Sequence, residues 1–265
     1  MSEEFKRRLI AEAAAPFKRA GRYAYHFARG KLGGDPVFAA MLRDGLLPPS
    51  VTVLDLGCGE ALLASWLRAA SLLHADGDWP SDWPAPPHLE DYRGIELQPR
   101  DVARARRALP TALHIEHRDI REASFGRASL VVILDVLHYI GYQDQRRVLE
   151  RIRTCLEPDG VLLLRVGDAA GGVPFRISLA VDALVTRLRG QSLGRLHCRT
   201  LADWRAELSV IGFAAKPMPM SAGTPFANHL LVAHPRSLSD LGGSKRGSGR
   251  ARPFRSGFEA HSGSM

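Results

Sequence analysis

The chain has 265 residues, 45% of them hydrophobic and 24% charged, with a formal net charge of +8. This composition is ordinary for a soluble globular protein, and one decorated α/β domain is the simplest arrangement of that length. No apolar run approaches the roughly eighteen residues that span a bilayer, and the three scattered cysteines, Cys58, Cys155 and Cys198, argue against a disulfide framework or a zinc site. The opening MSEEFKRRLIAEAAAPFKRAG mixes acids with bases and lacks the apolar segment of a signal peptide, so a reducing, cytoplasmic location is expected.

Residues 1 to 31 hold eight Lys/Arg against three Glu, interleaved with aromatics in FKRAGRYAYHFARGK. They predict one or two helices capping the domain, whose basic face either solvates a helix or docks an anionic partner. From residue 51, VTVLDL (51–56), YRGIEL (92–97), ALHIEH (112–117), SLVVILD (129–135) and GVLLLRV (160–166) read as strands. Several are apolar at successive positions, as parallel strands covered on both faces require. ALLASWLRAASLL, PRDVARARRAL and QDQRRVLERIRTCLE read as helices, with Pro99 in a first turn and EPDG (157–160) ending the third. The Pro-rich DGDWPSDWPAPPHLE (76–90) reads as a long surface loop. This alternation predicts a doubly wound parallel sheet. Beyond it, 173–190 predicts an amphipathic helix, another helix falls within 200–211, and GFAAKPMPM and NHLLVAHP flank SAGTPF as an antiparallel hairpin. The Gly/Ser/Arg-rich stretch 236–265 carries net +4, half of the total, and predicts disorder. The expected organisation is a helical cap (1–48), the main α/β domain (49–235) and a disordered basic tail (236–265).

VTVLDLGCGEALLASWLRAA (51–70) sets Asp55, Gly57 and Gly59 where a predicted strand turns into a predicted helix. Glycine loses the most backbone freedom on folding, so the pair calls for a close approach by something else. At that crevice, backbone can lie against a ligand and the helix N-terminus favours negative charge. A dinucleotide site needs GxGxxG, and its third position is Leu62. The acid expected about 20 residues on would be Glu96, 37 residues after Gly59, displaced by the Pro-rich insertion. A nicotinamide dehydrogenase therefore ranks last among the readings of this turn.

LDLGCGEA, followed by GIELQP, RDI, LDVLHYI and LEPDGVLLLRVGD, resembles the class I S-adenosylmethionine (SAM)-dependent methyltransferases over residues 50 to 235. The resemblance implies a Rossmann-like, doubly wound, seven-stranded sheet with a C-terminal antiparallel hairpin and an N-terminal helical cap, and SAM as cofactor. It implies that the turn Gly57, Cys58, Gly59 passes under the methionine portion, with Asp55 near its amino end. Glu96, flanked by Leu97, falls at the ribose hydroxyls, where one carboxylate can accept from both. Asp119, with Ile120, falls at the adenine, and Asp135 lines the cleft near the methionine end. Ala61 departs from the pattern, since many members carry a third glycine there. Without the resemblance, Glu96 reads as a surface acid and Asp119 and Asp135 as turn or cap residues.

Methyl transfer from a sulfonium is an in-line displacement, so positioning and exclusion of water are the protein's main contributions. A hydroxyl or phenol acceptor also benefits from a base. His138, in DVLHYIGY, is the candidate base, with packing as its alternative role; Tyr139 and Tyr142 are candidate pocket residues. Arg165 and Asp168 read as an ion pair, and Tyr23, Tyr25 and His26 as a possible lid. The other histidines lack HxxxH or HxH spacing, so no metal is expected. In 173–190, Phe175, Leu179, Leu184 and Leu188 beside Arg176, Arg187 and Arg189 suit either an apolar acceptor with an acidic handle or core packing with solvated arginines. GRYAYHFARGKLGGDPVFAAML, LDVLHYI, RLHCRTLADW and MPMSAGTPFAN are similar to bacterial methyltransferases associated with aryl-polyene or fatty-acid-like pigment synthesis. That implies secondary metabolism and an aromatic acceptor, small or bound to acyl carrier protein, whose acidity would match the basic N-terminus. An RNA methyltransferase suits the high pI, but the [DN]PP[FY] motif is replaced by LDVL and no RNA-binding module is recognisable, so nucleic acid is disfavoured. A non-catalytic cofactor-binding regulator is the remaining alternative.

Overall fold

The computed structural model describes residues 3–171, 196–221 and 228–236. Met1–Pro235 forms one unit and Arg236–Met265 a second, of which only Arg236 is described. The helix predicted at 173–190 and the basic tail thus lie outside the described residues.

The chain opens with α1 (Glu3–Ala14) and α2 (Arg22–Gly34), in the stretch where one or two helices were predicted, and α3 (Pro36–Arg43) follows beyond it. A 3-10 turn over Ala15–Ala20, with a proline in its first positions, breaks the first pair. Asp35 separates the second pair, its carboxylate accepting from the Val37 amide at 3.1 Å as an N-cap ahead of Pro36. Alternating elements follow: β1 (Ser50–Leu56), α4 (Leu62–Ala75), β2 (His88–Glu96), α5 (Pro99–Ala108), β3 (His114–His117), β4 (Ala128–Leu134), α6 (Tyr142–Cys155) and β5 (Leu156–Gly167). α7 (Leu201–Ile211), β6 (Phe213–Pro219) and β7 (Asn228–Pro235) complete the described elements.

The seven strands form one sheet in the order β3-β2-β1-β4-β5-β7-β6. The first five are parallel, and β7 pairs antiparallel with both β5 and β6. This is the doubly wound, Rossmann-like sheet with its C-terminal hairpin. Because the chain winds outward from β1 to β3 and returns to β4 on the other side of β1, the crevice lies at the carboxyl ends of β1 and β4.

Three boundaries differ from the sequence reading. β2 starts at His88, so the Pro-rich loop is shorter than 76–90. EPDG lies inside β5, which follows α6 directly; the register shift between Ala128↔Leu156 and Leu130↔Val161 absorbs its extra residues. β4 stops at Leu134 because Asp135 adopts φ +58°, which ends a strand.

The runs of successive apolar residues fill two cores of alternating parity. Val51 and Val53, Leu130 and Val132, and Val161 and Leu163 face α1 to α5. Leu54 and Leu56, Val131 and Ile133, and Leu162 and Leu164 face α6 and α7. The N-terminal helices therefore belong to the first core, through Phe5, Leu9, Phe17, Val37 and Met41. Trp66 of α4 anchors that layer: it is 1% exposed, and its indole N–H donates to the Phe38 carbonyl at 2.9 Å. Trp66→Phe removes that indole bond and part of a fully buried ring, and denaturant unfolding is expected to show a loss of about 1–3 kcal/mol.

Candidate functional site

The turn between β1 and α4 has two left-handed glycines, Gly57 at φ +73° and Gly59 at φ +57°. A Cβ on Gly57 would sit 2.3 Å from Cγ2 of Val136, just past β4, whereas one on Gly59 would meet open space. Gly57 is thus required by packing, and Gly59 leaves an open face. The Gly57 and Cys58 amides both donate to the Ile95 carbonyl, at 2.8 and 3.2 Å, which fastens the turn to β2. Ala61, at φ +58°, keeps a left-handed conformation without glycine and is fully buried.

Glu96 ends β2 and turns its carboxylate toward the glycines. Oε2 accepts from the Gly59 amide and Oε1 from the Gln98 amide, each at 2.8 Å. Burial raises its pKa, while those two amides pull it back down. Each oxygen keeps a further lone pair for a ligand hydroxyl. Asp55 is buried within β1 and accepts from the Tyr92 phenol at 2.6 Å. Burial pushes its pKa up to about 7, against the stabilising Tyr92 bond and with some repulsion from Glu96. Burial also holds the Cys58 thiol well above its ordinary pKa, so it stays protonated and non-nucleophilic. Its Sγ fills the space above Gly94, where a Cβ would lie 2.6 Å away.

Farther along the rim, Leu97 is exposed and its carbonyl meets Nε2 of His117 at 3.0 Å. Asp119 closes the turn after β3, accepting from the Arg121 amide at 2.8 Å and pairing with that residue's guanidinium at 2.6 Å. Its pKa is lowered chiefly by that side-chain bond. Ile120 is buried in the second core. A depression of about 650 Å³ lies at the opposite end of β3, lined by Arg106, Leu113 and His114 among others, and includes none of the predicted site residues.

At the end of β4, Asp135 is gripped by both ends of the Arg165 guanidinium, with Nε to Oδ1 at 3.0 Å. Arg165 does not pair with Asp168, as the sequence reading expected; its third nitrogen reaches Asp35 at 2.6 Å. Asp168 instead accepts from the Ala170 and Leu201 amides, both at 3.0 Å. Arg165 is 3% exposed, and Asp35, the N-cap of α3, also meets Lys31 at 2.8 Å. Between these two cations the Asp35 pKa falls to about 2 despite its burial, drawn down by Arg165 and then Lys31.

His138 lies in a 3-10 turn, Leu137–Tyr139, directly after Asp135 and Val136. Burial lowers its pKa, opposed by Asp135, so the ring is neutral at physiological pH. Its ring centroid is 4.2 Å from that of the exposed Tyr139. Gln145, fully buried on α6, fixes this turn: the two hydrogens of its NH2 are shared among the carbonyls of Leu137, Ile140 and His197 at 2.8–3.2 Å, and its oxygen accepts from Arg199. The His197 amide donates to the His138 carbonyl at 2.8 Å, and Tyr142 donates to the Cys198 carbonyl at 3.1 Å. Segment 196–200 is thereby tied beside His138. Of the candidate lid, Tyr23 lies under Arg104 of α5 at 4.4 Å, and Arg104 pairs at 2.9 Å with Glu60 of the glycine turn. Tyr25 is flanked by Lys18 and Arg29.

The sequence reading missed Tyr92, Arg104, Asp35, Gln145 and His197. Only Asp35 carried a local signal, the Asp–Pro pair that caps a helix. Gly94→Ala is expected to push Cys58 and the turn, costing about 1–3 kcal/mol. Adding Cys58→Ala recovers part of that loss, and a double-mutant unfolding cycle reads the coupling.

A methyltransferase-domain family model matches residues 3–214 of the chain. The chain is 34% identical over 117 residues to the carboxy-S-adenosyl-L-methionine synthase of Chromohalobacter salexigens, covering 42% of this chain and 38% of that protein. It is 27% identical over 130 residues to the Shigella boydii enzyme of the same name, covering 47% of each. The matches thus span less than half the length of these relatives. Among solved structures, human N-acetylserotonin methyltransferase in complex with SAM aligns at TM-score 0.55 and 16% identity, over 89% of this chain and 60% of that one. Magnesium protoporphyrin IX methyltransferase from Synechocystis PCC 6803 with bound SAH aligns at 0.52 and 19%, over 89% and 100%. The chain belongs to the methyltransferase-domain family and carries the class I, SAM-dependent methyltransferase fold.

Proposed function

We propose that the protein transfers a methyl group from SAM to an aromatic acceptor, small or attached to an acyl carrier protein, by O- or C-methylation. The observation that carries this reading is the pairing of Gly59, whose outer face is open, with a Glu96 carboxylate held 2.8 Å from its amide. The residues fit the cofactor: Glu96 for the ribose hydroxyls, the Gly57–Gly59 turn and Asp135 for the methionine end, and Leu97 as an exposed apolar surface beside them. Asp55 acts from beneath, holding β1 to Tyr92, and Asp119 presents an edge already turned toward Arg121. When bound, SAM supplies a methyl on a sulfonium, already activated for displacement. The chain's part is to orient the acceptor and remove its proton. His138, neutral and fixed through Gln145, is the base, and Tyr139 and Tyr142 are exposed rings for an aromatic acceptor. A role in pigment synthesis, with a carrier protein meeting the basic N-terminus, is the finer form of the proposal.

A second reading comes from the carboxy-SAM synthase relatives: the chain acts on the cofactor itself. Mass spectrometry after incubation with SAM and phenolic acceptors, and in a parallel arm with SAM and a panel of small carboxylic acids as carboxyl donors, separates the two. A methylated acceptor and S-adenosylhomocysteine (SAH) support methyl transfer, and a cofactor heavier by a carboxyl group supports the second reading.

Two measurements test the site. Calorimetric titration is expected to give micromolar SAH binding and none with NAD, and Glu96→Ala is expected to weaken SAH about tenfold or more, some 1.4 kcal/mol per decade. For His138, burial depresses the pKa, so the base is lost only as pH falls below the ordinary histidine value of about 6.5. The acid limb of kcat should therefore lie below that value. His138→Gln should remove the limb and lower kcat about 10²- to 10⁴-fold; an unchanged profile would assign the ring to packing.

A further inference from the structure

The turn between β1 and α4 holds a conformation that its own sequence does not favour throughout. Gly57, Gly59 and Ala61 are all left-handed, at φ +73°, +57° and +58°. Among the described residues, Ala61 and Asp135 are the non-glycine residues with positive φ. Aspartate tolerates that conformation through local side-chain hydrogen bonds; alanine lacks them, and its Cβ crowds the backbone there. Ala61 is fully buried and caps α4 without a side-chain cap bond. Its amide donates to the Cys58 carbonyl at 2.8 Å, which closes a four-residue turn with Gly59 and Glu60 at the centre. Glu60 thus lies between two left-handed residues.

The Glu60 side chain is held from another element. Its Oε1 accepts from Nη1 of Arg104 on α5 at 2.9 Å, across 44 residues of sequence. The two side chains are 2% and 15% exposed, so the pair is largely shielded from water, unlike a surface ion pair. Arg104 is itself fixed. Its Nη1 lies 3.6 Å from Asp101 one turn earlier, and its guanidinium stands 4.4 Å from the centre of the Tyr23 ring on α2. Directly before Glu60, the Gly59 amide donates to Glu96, and Gly59 keeps its open face.

We propose that Arg104 is a positioning residue for the methyl donor: through Glu60 it holds the strained Gly59–Ala61 turn in the shape that presents Gly59 and Glu96 to the cofactor. The inference rests on the methyl-donor reading given above and adds a residue that acts through another. A backbone conformation outside the ordinary wells persists only where the surroundings over-determine it. The Cys58 carbonyl holds Ala61 from within the turn, and Arg104 holds Glu60 from outside it. Without the outer hold, Ala61 relaxes toward negative φ and draws Gly59 off the Glu96 carboxylate.

The test uses Arg104→Gln and Glu60→Gln in the full chain, each alone and in an Ala61→Gly background. Glycine adopts the left-handed region freely, so in that background the turn no longer needs the hold. SAH is titrated calorimetrically, and urea unfolding confirms that each variant folds. Amide exchange in the ligand-free protein follows Gly59 and Gln98, the two amides bonded to Glu96. Each single variant is expected to weaken SAH about tenfold, and the same change in the Ala61→Gly background about threefold or less. The Gly59 amide exchanges faster, while Gln98 keeps its protection. Glu60→Gln leaves no buried carboxylate behind, so it carries the test if Arg104→Gln does not fold. Unchanged SAH affinity in folded variants, equal losses in both backgrounds, or equal deprotection of the two amides overturns the proposal and makes the pair purely structural. A wild type that binds neither SAM nor SAH overturns the methyl-donor reading instead, and the exchange readout, taken without ligand, still decides whether Arg104 holds the turn.

Discussion

The contact on which most of the site depends is the buried guanidinium of Arg165 between Asp35 and Asp135. Burying an ion costs several kcal/mol, and its attraction to partners offsets that cost only when the geometry is good. Such a bridge contributes modestly to stability, yet it constrains geometry strongly, because removing one partner strands the others. Here the ends of β4 and β5 already meet in the sheet, with Leu134 opposite Arg165, and the bridge adds the α2–α3 junction to them. Asp135 meets Arg165 in a left-handed conformation, so β4 must end there and the chain must turn. The turn carries Val136 against Gly57 and leads directly to His138.

From that point the site is assembled by short bonds across the sheet. The glycine turn hangs from the Ile95 carbonyl, and Glu96, the next residue, reaches back to the Gly59 amide. β2 therefore holds the turn from one side while Val136 limits it from the other. Cys58 and Gly94 interlock on the same strand pair, so a side chain present at one position requires its absence at the other. On the far side of His138, Gln145 binds three carbonyls that belong to two separate segments. A buried amide bonded in this way rigidifies its surroundings, here the turn that carries His138.

The sheet was legible because its interior strands are apolar at successive positions, and the two parities of β1, β4 and β5 do fill two cores. The crevice was legible for the same reason that Gly57 is glycine: a costly conformation beside a strand end marks a close contact. What the sequence could not show is pairing across long separations. Arg165 and Asp35 are 130 residues apart, and Tyr92 and Asp55 are 37 apart. A local rule instead suggested Asp168 as the partner of Arg165, although both oxygens of Asp135 were available one strand away. The EPDG signal does follow the end of α6 at Cys155, but its turn residues are absorbed by a register shift at the start of β5. Asp119 remained ambiguous for a physical reason: the same oxygen that could meet a ligand also closes its own turn onto Arg121.

Asp55 and Glu96 illustrate how burial can divide one chemical group into two tasks. Both are carboxyls near the same turn, and both are raised by desolvation. Asp55 has one stabilising partner, the Tyr92 phenol, and rises to about 7, so near neutrality it is a structural hydrogen-bonding group that is only part ionised. Glu96 receives two backbone amides, which favour its charged form and offset part of the burial. Burial raises both acids, and their different bonding partners give them different surroundings. The acid with two amide donors is also the one whose bonded amide belongs to Gly59, the glycine with an open face. Free lone pairs and access thus converge on Glu96, while Asp55, projecting from β1, holds it to β2 through Tyr92.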